Sequence, residues 1–99
     1  MPAPRKKKSS AKFVAPIVRF SIRIPGAREV CVAGSFNEWH PTVAPMIDLG
    51  EGLWVKDVTL APGRHEYLFV ADGCWQPDPQ AAESTPNPHG GLNSVVVVK

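Results

Sequence analysis

The stretch LWVKDVTLAPGRHEYLFVADGCWQ, residues 53–76, decides the fold. It reads as two apolar-alternating runs joined by a turn, with a second turn leading into a third run. In 53–60, Trp54, Val58 and Leu60 share one face, with Lys56 among them. Ala61-Pro62-Gly63 is a tight-turn signal. In 64–71, His65, Tyr67, Phe69 and Ala71 alternate with Glu66, Leu68 and Val70. This period of two places successive side chains on opposite faces of a strand. Asp72-Gly73 then supplies the positive backbone angles that a two-residue hairpin requires, and Cys74-Trp75-Gln76 begins the returning strand.

The same period extends outward. In IVRFSIRI, 17–24, Val18, Phe20, Ile22 and Ile24 form one face, and Pro25-Gly26 ends the run. REVCVA, 28–33, puts Val30 and Val32 opposite Cys31 and Ala33. NSVVVV, 93–98, is a β-branched final strand. Residues 77–91 read as a long proline-rich connection. No window repeats helical spacing, and the 11 prolines oppose it. The expectation is an all-β, antiparallel β-sandwich of roughly six to eight short strands in two sheets.

At 99 residues the chain has room for one domain with a modest core. The formal charge of +2 is unevenly spread. Arg5, Lys6, Lys7, Lys8 and Lys12 fall in the first dozen residues with no acid, whereas the remainder holds six bases against nine acids. Residues 1–14 are therefore expected to be a disordered basic tail, and residues 15–99 the folded, mildly acidic module. A lysine-rich tail attracts phosphates without sequence preference, but an acidic body opposes a nucleic-acid platform, so nucleic acid is disfavoured. No segment reaches membrane-spanning length, and no secretion signal is evident. Cys31 and Cys74 lack metal-ligand spacing and are expected as reduced thiols in a cytoplasmic protein.

Catalysis finds no support. His40, His65 and His89 are scattered, and no nucleophile–base pair or metal set is spaced for chemistry. No catalytic residue, metal or cofactor is expected. The informative residues are the tryptophans. Trp54 stands in register with core positions, but Trp39 ends the loop CVAGSFNEWHP, 31–41, and Trp75 follows the Asp-Gly hairpin. Pattern alone leaves both between hydrophobic plug and displayed platform. Phe36 is expected to turn inward and pin the loop, with Gly34 and Asn37 allowing the turn.

VCVAGSFNEWHP (30–41), GLWVKDVTLAPGRHEYLFVADGCWQPDP (52–79) and NPHGGLNSVVVV (87–98) together resemble the family-48 carbohydrate-binding modules. That family includes the isoamylase N-terminal early-set domains and the glycogen-binding domain of the AMP-activated protein kinase beta subunit. The chain most resembles short, stand-alone bacterial proteins with an early-set domain. The resemblance implies an immunoglobulin-like (early-set) β-sandwich and a non-catalytic function: binding α-1,4-linked glucan such as glycogen, starch or maltooligosaccharide. It implies stacking by Trp39 and Trp75 and hydrogen bonding by Asn93, with His89, Leu68 and Glu66 at the edge of the site. The chain departs from the family where Leu68 replaces a sugar-contacting lysine, Gly91 replaces a threonine, and a slightly longer loop carries His89 at its tip. The alternative is a protein-interaction or scaffold module docking on a partner enzyme.

Overall fold

The computed structural model describes residues 16–99. The expected basic tail, 1–14, lies outside the described residues. Eight strands form two antiparallel sheets: β1 (Ile17–Arg23), β2 (Val30–Gly34), β3 (Ile47–Asp48), β4 (Leu53–Thr59), β5 (Gly63–Ala71), β6 (Cys74–Gln76), β7 (Glu83–Pro86) and β8 (Leu92–Val98). One sheet has the order β1-β4-β3. The other runs β2-β5-β8-β7, with β6 also paired to β5.

The inward faces are those set by the alternation. Phe20 and Ile22 from β1 and Trp54 from β4 meet Val30 and Val32 from β2, Tyr67, Phe69 and Ala71 from β5, and Val98 from β8. Leu60 and Met46 complete this core. Phe20, Tyr67 and Phe69 stack edge to face, with ring centroids 4.7 and 5.7 Å apart, a geometry that aligns ring edges with π faces. Trp54 is buried as expected, and its Nε1 has no hydrogen-bond partner.

Two strands escape a reading by period. β3 has only two residues. β7, Glu-Ser-Thr-Pro, lies within the expected proline-rich connection and has no buried residue. It is an edge strand against β8, where polar residues and a terminal proline are tolerated because one side of the ladder stays unpaired. The 72–73 hairpin takes the expected form, with φ of 49° at Asp72 and 84° at Gly73. Asp72 also accepts backbone N–H bonds from Arg28 and Glu29 at 2.9 to 3.1 Å, tying the turn to the entry of β2. Cys31 and Cys74 are both free thiols, one buried and one exposed.

Segment 77–82 is fastened through the protein's one tyrosine. The Tyr67 hydroxyl donates to Asp78 Oδ2 at 2.6 Å, and Asp78 N donates to Ser94 Oγ at 2.8 Å. Burial, the hydrogen bond to Asp78 and the charge of Asp78 together hold the Tyr67 phenol protonated far above its ordinary range. Its folded pKa thus exceeds the unfolded value of about 10. The resulting stability is fully present below that pH and is lost as pH rises above it. In an alkaline titration, tyrosinate absorbance is expected to appear only together with loss of near-ultraviolet circular dichroism. Tyrosinate forming while the fold persists would contradict this.

Candidate functional site

In an antiparallel ladder, paired residues point to the same side. The outer face of the five-stranded sheet can therefore be read from its register. Cys31, Val70 and Trp75 form one row across β2, β5 and β6. Ala33 and Leu68 form the next, and Glu66 pairs with Val95 in a third. On this face Cys31, Ala33 and Val70 make a small second apolar cluster, and Trp39 packs against it. Burial pushes the Cys31 thiol pKa up, helped by the nearby negative charge of Glu29, so this thiol is a packing group rather than a nucleophile.

The loop after β2 carries Trp39 to that position by specific contacts. Gly34 leaves room for the Phe36 ring and for Glu66 O, and Phe36 packs on the main core. The Asn37 side chain accepts from Gly34 N at 2.9 Å and donates to Val32 O at 3.1 Å. Ser35 continues the pairing to β5, with Ser35 N donating to Glu66 O at 2.9 Å. Glu38 and Trp39 then both take left-handed backbone, φ 58° and 59°, and Trp39 N donates back to Gly34 O. Such angles are rare for bulky residues.

Above the outer face lies a groove of about 740 Å³. Trp39, Trp75, Asn93, His89, Leu68 and Glu66 all line it. The structure thus brings together all six residues that the sequence singled out. Trp39 is partly buried on the Cys31 cluster and also lines the groove. Trp75 is 46% exposed. Asn93, by contrast, is 8% exposed and already bonded at both ends of its amide. It is a hub in the groove wall, not a loose rim group.

Two lining residues, Asn87 and Pro88, were not anticipated. Asn87 Oδ1 accepts from His89 N at 2.9 Å and Gly91 N at 3.0 Å, which shapes the turn that carries His89. The signal was available: an asparagine before Pro-His-Gly-Gly is an Asx-turn signature. Among the described residues, no group of three or more His, Cys, Asp or Glu is placed to hold a metal, and no helix is long and apolar enough to cross a membrane.

Residues 18–99 match the family described as the glycogen recognition site of AMP-activated protein kinase. The chain is 35% identical over 83 residues to the 5'-AMP-activated protein kinase subunit beta-2 of Mus musculus, and equally to that of Homo sapiens. Each alignment covers 84% of this chain and 28% of the subunit. It is 32% identical over 74 residues to subunit beta-1 of Sus scrofa, covering 75% of this chain and 57% of that one. These relatives are mammalian, where short, stand-alone bacterial proteins were expected from the motifs, and this chain spans little more than a quarter of the beta-2 subunits' length. By motif order, by fold and by a match over nearly all of the described residues, the chain belongs to the family of carbohydrate-binding modules typified by that glycogen recognition site.

Proposed function

We propose that this protein is a non-catalytic module that binds α-1,4-linked glucan, with Trp39 and Trp75 stacking on glucose rings. The observation that carries this reading is that both indoles line one groove together with a polar wall of Asn93, Asn87 and Glu66. A sugar ring presents a patch of C–H groups on one face and hydroxyls around its rim. An aromatic plane suits the first, and amide and carboxylate groups suit the second. A surface groove buries little, so single-site affinity is expected on the order of 10 μM to 1 mM. A long glucan offers overlapping sites and therefore avidity. Two free thiols support a reducing, cytoplasmic setting.

Glycogen included in a native gel is expected to retard the protein, and millimolar maltoheptaose to change its tryptophan fluorescence. Failure of both sinks the glucan reading. One observation favours a second role as a docking module. On the outer face of the three-stranded sheet, Ile47 and Leu49 are 62% and 59% exposed beside Leu53 and Val55. A partner enzyme covering that face would leave the groove free on the opposite side.

A further inference from the structure

The polar wall of the groove is a chain of hydrogen bonds with a fixed direction. At one end, Asn87 Oδ1 accepts two backbone N–H groups, from His89 and Gly91. Backbone N–H can only donate, so the other corner of the Asn87 amide must be Nδ2. Asn87 Nδ2 donates to Asn93 Oδ1 at 3.2 Å, and Asn93 Nδ2 donates to Glu66 Oε1 at 3.0 Å. Glu66 is a carboxylate that only accepts, and its Oε2 takes a bond from Arg64 at 3.1 Å. Donor-only groups close one end and an acceptor-only group closes the other. Asparagine amides are otherwise easily turned over, but here no member can turn without setting like against like.

We infer that Asn87 and Glu66 are positioning residues that lock the Asn93 amide in one orientation, so that it reads a neighbouring pair of uncharged sugar hydroxyls with fixed polarity. This inference rests on the glucan reading above. An amide offers two N–H groups and two lone pairs. The relay uses one of each on Asn93, leaving one donor and one acceptor for the groove that it lines. A vicinal diol matches that pair, because one hydroxyl can donate while its neighbour accepts. Low exposure of Asn93 excludes competing water and sharpens the match.

The test reverses the relay. Asn87→Asp keeps an acceptor for His89 N and Gly91 N but turns the donor facing Asn93 Oδ1 into a second acceptor. Glu66→Gln supplies a donor at the opposite end and still offers an oxygen to Arg64. Asn87→Asp is expected to bind maltoheptaose at least tenfold more weakly and to melt at lower temperature, whereas the Glu66→Gln amide can turn its oxygen towards Asn93 and keep the wild-type polarity, so its loss of affinity is expected to be smaller. The double variant keeps the net charge of the groove and lets every bond form in the opposite sense. It is expected to regain the wild-type melting temperature but not the affinity, since the free donor and acceptor of Asn93 have changed places. A purely structural role predicts that affinity returns with stability, and that result overturns the proposal. So does wild-type affinity in Asn87→Asp. A wild type that gives no response to maltoheptaose sinks the glucan reading instead. A responsive wild type with an insensitive variant series sinks this inference alone.

Discussion

Replacing Trp39 and Trp75 together by alanine is expected to abolish glucan binding while leaving the sandwich folded. A glucose ring laid on an indole removes roughly 60–80 Å² of apolar surface from water, about 1.5–2 kcal/mol at ~25 cal/mol per Å². Losing two such contacts weakens binding on the order of a hundredfold or more. Starting from 10 μM to 1 mM, that moves affinity out of a practical range. The two residues differ in their second effect. Trp75 is half exposed on β6, so its removal costs the fold little. Trp39 also covers Cys31, Ala33 and Val70, so its removal costs about 1–2 kcal/mol of stability as well. Calorimetry is the right readout, because Trp54, buried in the main core, would be the only fluorophore of its kind left. Retained binding in the double variant, with near-ultraviolet circular dichroism intact, would remove the aromatic platform from the account.

A single methyl group at Gly34 is expected to cost more stability than any surface change. A Cβ there would lie 2.5 Å from Glu66 O and 2.5 and 2.8 Å from the Phe36 ring. The carbonyl belongs to the central strand β5 and the ring packs on the main core, so neither yields cheaply. Overpacking of this kind costs typically 1–3 kcal/mol and more where backbone is struck. Gly34→Ala is therefore expected to lower the melting temperature by about 10–20 °C, at roughly 4–8 °C per kcal/mol for a domain of this size. It should also free the loop that carries Trp39, so glucan affinity should fall even below the melting transition. A melting temperature unchanged by the substitution would mean that the close approach is not real.

The core was legible because it is written in period two. Phe20, Ile22, Val30, Val32, Trp54, Tyr67 and Phe69 sit inside as their alternation requires. The lining of the groove was legible in its membership but not in its wiring. Leu68, Glu66 and Val70 could be placed on one outward face from the pattern of 64–71 alone. That Asn93 bonds Glu66, 27 positions away, depends on β8 lying against β5, and sheet order leaves no local mark in sequence. β7 was missed for a related reason. It is an edge strand with no buried residue, so no apolar face announces it.

The paired left-handed residues Glu38 and Trp39 carry a consequence for how this module can change over time. Holding bulky side chains at φ near 60° costs on the order of 1 kcal/mol each. At position 39 that backbone cost is offset by the packing of the indole on Cys31, Ala33 and Val70. Glu38 is exposed and has no such return, so glycine or asparagine at position 38 would relieve backbone strain without loss of packing. Position 75 is the cleaner record of use: Trp75 is half exposed and contributes little to the fold, so its retention in a descendant would mark a groove still under selection, whereas an aromatic at position 39 would be kept for the fold alone.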